Sequence, residues 1–355
     1  MAHCVPIVNG SAALRVALEA LEVSPGDEVI VPGLTWVADA SAVMRTSCVP
    51  LLVDIDPDTL CMSVEAARRA LSNRTRAICA VHLYSSMADM DGLRALASDA
   101  GVPLIEDCAQ AHGASWHGAH AGTLGTIGVF SMQQTKVLTA GEGGAAVTGN
   151  AELARRLEQL RADGRTFQHP PPGIGALELI EVGEVIGTNL AMSEVQAALL
   201  LEGLTRLDSE IRVRERNAQR LDAALGALPG VMPIRCPPGQ TRRSYYHYVV
   251  RVDCNRFGWT DVDTILAMLS AELNFPAERV YRPLNAHPLY RPATAHSTAL
   301  PDAYRAAVDP ARFRLPECER AHAEVVSLHH RLLLGDDRDM DDVIRAFHKV
   351  WDHLG

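Results

Sequence analysis

Short apolar runs alternate with amphipathic stretches over the first two hundred residues. EVIVPG, VPLLVDI, RAICAVHLY, VPLIEDCA, GVFSM and GGAAVTG are near-continuous apolar segments of strand length, bounded by Gly, Pro and Asp. Between them, SAALRVALEAL places Leu14, Leu18 and Leu21 at helical spacing, and SVEAARRAL and DMDGLRALASDAG repeat the pattern. Strands without a polar face must be covered on both sides, so the alternation predicts an α/β fold with a mostly parallel central sheet flanked by helices. QHPPPGIG (Gln168–Gly175) breaks the alternation and reads as an exposed loop. MSEVQAALLLEGLTRLDSEIRVRERNAQRLDAAL then predicts one long helix or two stacked ones. Beyond it, the alternating run SYYHYVVRV and a final helix, DMDDVIRAFHKVWDHL, predict a smaller α+β region. The boundary falls near residue 213, giving a large domain over 1–213 and a small C-terminal domain over 214–355.

Charge and cysteine usage narrow the setting. A formal net charge of −10 argues against a nucleic-acid partner, and no Lys/Arg run suits an anionic membrane. No apolar segment reaches the length of a membrane span, and MAHCVPIVNG lacks the pattern of a signal peptide. The eight cysteines are scattered without a CxxC pair, several of them inside strand-like runs such as AICAVHL. That distribution predicts buried, reduced thiols in a cytoplasmic protein, with neither structural disulfides nor zinc. His329–His330 has no further ligand at a useful spacing, so the pair reads as structural and no metal is expected.

The candidate chemistry lies in GVFSMQQTKVLTAGEGG (Gly128–Gly144), where Lys136 follows an apolar strand and precedes a glycine-rich turn. A desolvated lysine at such an edge is an amine nucleophile that forms Schiff bases, whereas a lysine taken alone is an ordinary solvated one. A second strand, VPLIEDCAQAHG, ends in Asp107, 29 positions upstream. A strand-end carboxylate with a strand-end lysine meets the two needs of pyridoxal phosphate, an anion for the pyridinium nitrogen and an amine for the aldehyde. Ligands of such sheets sit beyond the carboxyl ends of the strands, where Asp107 lies.

Asn9-Gly10-Ser11 precedes the first helix, and its N–H groups and hydroxyl suit a phosphate; the plainer alternative is a Ser N-cap. Trp36, in VPGLTWVA, suits stacking on a flat heteroaromatic ring, against the alternative of a core tryptophan. Glu106, Gln110 and His112 around Asp107 predict a polar pocket rather than a simple helix cap. Ser131 and Gln133 share one face by period-two alternation. Gly141, Gly143 and Gly144 permit a tight turn, and packing leaves Glu142 between them unexplained.

Taken together, these motifs resemble the fold-type-I pyridoxal-phosphate aminotransferases of the DegT-like sugar and secondary-metabolite family, over nearly the whole chain. DPDTLCMS, VHLYSSMADMD, IEDCAQAHGA, FSMQQTKVLTAGEGGAAVT, LRADGR and LHHRLLLGD read like its L-glutamine:2-deoxy-scyllo-inosose and scyllo-inosose aminotransferase subgroup. The resemblance implies Lys136 as the Schiff-base lysine, Asp107 as the pyridinium partner and Trp36 as the stacking ring. Gln110 would sit near the phenolic oxygen, and Gly10, Ser11 and Ser131 would hold the phosphate. Asn189, in IGTNLAMSEVQAA, would reach the phosphate of a neighbouring subunit, implying a homodimer with shared active sites. His82 and Tyr84 match a His-x-Tyr element near the pocket. The implied reaction carries the amino group of L-glutamine to a keto-cyclitol in aminocyclitol antibiotic biosynthesis, with ping-pong kinetics.

Three departures qualify the resemblance. Relatives carry a longer stretch before the NGS motif, with a substrate-proximal loop and part of the dimer interface. Ala191 stands where many relatives have an arginine, which favours an uncharged cyclitol over a nucleotide sugar. Asn285 stands where histidine is common, so small-domain substrate contacts do not transfer. The alternatives are an aminotransferase for a nucleotide-linked keto-sugar, an aromatising aminohydroxybenzoate-forming relative, and a non-catalytic homologue that pairs with an active partner. A dehydratase of the type that replaces the lysine by histidine is disfavoured because Lys136 is present.

Overall fold

A computed structural model describes residues 1–168, 173, 179–257, 261–292 and 301–354. Seven strands form the central sheet: β1 (His3–Ile7), β2 (Glu28–Pro32), β3 (Val49–Val53), β4 (Thr75–Val81), β5 (Leu104–Asp107), β6 (Ile127–Ser131) and β7 (Gly144–Thr148). Their order is β1-β7-β6-β5-β4-β2-β3. Strands β2 to β6 are parallel, and β7 runs antiparallel to both β6 and β1. Every residue of β2 and of β5 is buried, as expected of strands covered on both faces. The apolar pattern leaves β1 unread because Pro6 interrupts HCVPI. The sheet tolerates that proline because β1 is an edge strand.

Helices α1 (Gly10–Ala20), α2 (Ala38–Arg45), α3 (Val64–Ala70), α4 (Met90–Ala100) and α5 (Ala151–Arg161) flank this sheet. The long stretch after it forms one helix, α6 (Glu194–Leu225), opened by a Ser193–Gln196 capping box. A second, antiparallel sheet contains β8 (Val231–Pro233), β9 (His247–Val252), β10 (Ala277–Arg279) and β11 (Val325–His329), in the order β8-β9-β11-β10. Helices Val262–Leu273 and Asp337–Leu354 contribute Leu269, Phe347 and Trp351 to an apolar core built on this sheet and the carboxyl half of α6. A separate, larger core fills the faces of the central sheet.

Of the loop Gln168–Gly175, all but Gln168 and Gly173 lie outside the described residues. No helix among the described residues is long and apolar enough to cross a membrane.

Candidate active site

Parallel strands bring their carboxyl ends to one edge, and that edge assembles the site. Asp107 is the last residue of β5, in register with Val81 of β4 and Val129 of β6. Ser131 ends β6 opposite Gly144, and Gly144 in turn pairs with Ile7, two residues before Asn9. Thr35 and Trp36 follow β2. A cleft of about 880 Å³ opens at this edge, lined by Gly10, Ser11, Trp36, Asp107, Gln110, Ser131 and Lys136. Asn189 is exposed and does not line it.

The amino terminus of α1 lines the cleft. Its cap is Asn9 rather than Ser11: the Asn9 Oδ1 accepts the Ala12 N–H at 2.8 Å, so Gly10 and Ser11 fall in the first helical turn. This leaves the Ser11 hydroxyl and the first-turn N–H groups at the positive end of the helix dipole, facing the cleft. Gly10 is required by close approach, since a Cβ there would lie 2.7 Å from the Ser131 Cβ. At Gly144 it would meet the Asn9 carbonyl at 2.4 Å.

Asp107 lies deeper and is only 6% exposed. Burial pushes its carboxyl above the ordinary range, against the Ala109 N–H at 2.8 Å, a bond from Asp39 and the Lys136 charge. Gln110 accepts the Tyr84 N–H at 2.7 Å and donates to the Tyr281 hydroxyl at 3.1 Å. Tyr84 holds a left-handed backbone, φ 57°, and its hydroxyl accepts the Tyr281 N–H at 2.7 Å. Trp36 is 47% exposed and leans on Tyr281, ring centroids 5.8 Å apart. It therefore belongs to the cleft rim and not to the core.

Lys136 occupies the turn after β6. Its Nζ lies 4.2 Å from the Tyr246 ring centroid, a cation–π contact. The Thr135 hydroxyl donates to Gln133 Oε1 at 2.7 Å, so the Tyr246 hydroxyl must donate to Thr135, at 2.8 Å. His329 and His330 meet the Thr135 carbonyl at 3.2 and 3.0 Å, so the pair read as structural holds the lysine turn.

Two expected pocket residues face elsewhere. Glu106 points to the opposite face from Asp107, as alternation along β5 requires. Its carboxylate meets His82 Nε2 at 3.1 Å and accepts the N–H groups of Gly122, Leu124 and Gly125. Burial pushes Glu106 up, but these bonds outweigh it and hold the group below its ordinary value. Because His82 Nδ1 accepts the Ala88 N–H, Nε2 carries the proton. His112 is buried against Phe130, and neither ring nitrogen has a partner in hydrogen-bonding geometry.

The sequence reading missed the opposite wall: Tyr246 just before β9, His247 at its start, Tyr281 after β10, and Arg331 after β11. SYYHYVVRV announces a strand, yet nothing in it says which ends meet a site built on another sheet. The LHHRLLLGD motif was the one signal pointing to Arg331.

Residues 1–348 match the DegT/DnrJ/EryC1/StrS aminotransferase family. The chain is 50% identical to an L-glutamine:2-deoxy-scyllo-inosose aminotransferase of Streptomyces fradiae over 351 residues, 99% of this chain and 82% of that protein. It is 48% identical to an L-glutamine:scyllo-inosose aminotransferase of Streptomyces griseus, covering 99% of this chain and 83% of the relative. The crystal structure of 3-amino-5-hydroxybenzoic acid synthase superposes with a TM-score of 0.83 at 31% identity, covering 99% of this chain and 87% of that one.

Proposed function

Because the chain belongs to the DegT/DnrJ/EryC1/StrS aminotransferase family, we propose that the cleft moves the amino group of L-glutamine to a keto-cyclitol, 2-deoxy-scyllo-inosose or scyllo-inosose, in aminocyclitol antibiotic biosynthesis. It is an aminotransferase, and its cofactor is pyridoxal 5'-phosphate. The residues present fit that cofactor. The cleft offers an anion cradle at the α1 terminus, a buried carboxylate and an amine. The single observation carrying the proposal is that Lys136, Asp107 and the Gly10–Ser11–Ser131 cradle line one cleft.

Gly10, Ser11 and Ser131 would hold the phosphate, Asp107 the ring nitrogen and Lys136 the aldehyde carbon. Trp36 would cover one ring face and Gln110 would lie near the phenolic oxygen. When bound, the cofactor supplies an electron sink for bond breaking at an amine-bearing carbon. Asp107 would hold the proton of the ring nitrogen. The free Lys136 amine would take the proton from the donor carbon and deliver a proton to the acceptor carbon. Tyr246, held by Thr135, keeps Nζ oriented toward the cleft. The cleft is visited by donor and acceptor in turn, which gives ping-pong kinetics.

Among the described residues lining the cleft, the cations are Lys136 and Arg331. A single arginine suits the donor's carboxylate, and the absence of a second clamp favours an uncharged polyhydroxyl acceptor over a nucleotide sugar. A half-reaction with L-glutamine, then a panel of keto-cyclitols and nucleotide keto-sugars, tests the reading. Amination of nucleotide keto-sugars alone would refute the acceptor assignment. An aromatic product would point to the aminohydroxybenzoate-forming chemistry. Lys136→Ala should abolish turnover and the visible absorbance of the bound cofactor; ordinary rates in that variant would rule out its role.

The reading extends to a homodimer in which Asn189 reaches the partner's phosphate. It is supported by the exposure of Asn189 and of the apolar Ile186, Val195, Leu199, Leu201 and Leu204 beside it. The second core, built on the carboxyl half of α6 and the second sheet, supports a small domain within 214–355 beside a large one over 1–213, although Ile234, Val249, Val280, Leu315 and Val325 pack into the larger core. Buried thiols at Cys48, Cys61, Cys79, Cys108 and Cys318 support a reducing, cytoplasmic setting.

A further inference from the structure

Behind the cleft wall, against Asp107, lies a second carboxyl that the reaction as described does not use. Asp39 stands in the first turn of α2 and is 2% exposed. Its Oδ2 accepts the Thr35 hydroxyl at 2.7 Å, and its Oδ1 lies 3.6 Å from the Cys79 thiol of β4. It also meets the Asp107 carboxyl in hydrogen-bonding contact. None of these three facing groups is a cation. Two carboxylates in contact in a dry site cannot both ionise, so the pair keeps a proton.

The surroundings decide which acid holds it. Asp107 accepts the Ala109 N–H and feels the charge of Lys136, both of which favour its anion. Asp39 has one hydroxyl donor, a weak thiol contact and the negative field of Asp107. Burial and Asp107 together push Asp39 well above the ordinary carboxyl range, while the bond between them pulls Asp107 down. The proton therefore resides on Asp39.

We propose that Asp39 is a positioning residue: its protonated carboxyl donates to the Asp107 carboxylate, orients it, and tempers how strongly it draws the proton on the ring nitrogen of the bound cofactor. This rests on the reading that Asp107 faces that nitrogen. With the donor in place, Asp107 divides its charge among the Ala109 N–H, the Asp39 O–H and the ring. Without it, more of that charge falls on the ring nitrogen. Were Asp39 ionised instead, it would add a second negative charge behind the ring and strengthen ring protonation. The two cases predict shifts of opposite sign when Asp39 is replaced by alanine.

The test uses holoenzyme reconstituted with pyridoxal phosphate labelled with ¹⁵N in the ring, whose chemical shift reports ring protonation. Asp39→Asn, which keeps a donor toward Asp107 and an acceptor for Thr35, should stay at the wild-type shift. Asp39→Ala should move toward the fully protonated value. If both variants move toward the unprotonated value, Asp39 is a charge and the proposal is overturned; it is equally overturned if neither moves. Infrared difference spectra of wild type against D39N at neutral pH should show a protonated carboxylic-acid band that the variant lacks. Absence of that band overturns the proposal even if Asp39→Ala fails to fold. Asp107→Asn separates the two readings. If it leaves the ¹⁵N shift unchanged while the infrared band stands, the shared proton is real but its link to the cofactor is refuted.

Discussion

Acidification should destabilise this protein partly through one histidine beneath the site. His112 is 3% exposed and packs against Phe130, ring centroids 5.5 Å apart. Burial first, and the Lys136 charge second, depress its pKa from 6.5 to about 3, against a small opposing influence from the Ser131 backbone. The folded value lies below the unfolded one, so its stabilising contribution is present above pH 6.5 and is lost as pH falls toward 3. At pH 5, about 1.5 units into that window, the loss is about 2 kcal/mol at roughly 1.4 kcal/mol per unit. His112→Leu removes the titration while keeping an apolar filler. Its packing cost is the same at both pH values and cancels in the comparison. Urea unfolding of both proteins at pH 7 and pH 5, followed by tryptophan fluorescence, measures the difference. Wild type should lose about 2 kcal/mol more than the variant on acidification. An identical pH dependence in the two proteins would refute the reasoning, and so would a larger loss in the variant.

Other outcomes follow from the same geometry. Gly10→Ala puts a methyl 2.7 Å from the Ser131 Cβ and should weaken pyridoxal-phosphate binding roughly tenfold, within the 1–3 kcal/mol cost of overpacking; titration of the apoprotein with cofactor reads it, and an unchanged Kd would contradict the cradle. Trp36→Ala should raise that Kd by about 2- to 10-fold, the worth of an aromatic pair, while leaving Tm unmoved because the residue is 47% exposed. Leu201→Asp with Leu204→Asp should shift sedimentation from dimer toward monomer; unchanged sedimentation would remove this face from the subunit interface.

Most of the large sheet was legible because each of its parts is local. A β-to-helix alternation with no polar strand face leaves few architectures, and EVIVP is buried throughout as its composition requires. Lys136 and Asp107 were legible because Asp107 ends and Lys136 closely follows a strand whose apolar run is visible, and parallel pairing brings strand ends together. Where the reading failed, the information was not local. Both β1 and the Asn9 cap lie in HCVPIVNGS, where Pro6 obscured the strand and the polar residues on either side of Gly10 could each have capped the helix. Glu106 and Asp107 are neighbours in sequence, but pleating sends one to the His82 staple and the other to the cleft.

The chain by itself therefore determined what depends on near neighbours: the βα order, the strand-end acid, the lysine in the turn after β6, and the glycine turn that follows. Only the tertiary structure decided which distant groups meet. It set Tyr246 against the Lys136 amine, His330 on the Thr135 carbonyl, and Asp39 against Asp107 across 68 positions of chain (107 − 39). The reason is physical. Backbone preference and amphipathic period act over a few residues, whereas the charge state of a buried carboxyl depends on whatever packing brings within a few ångströms.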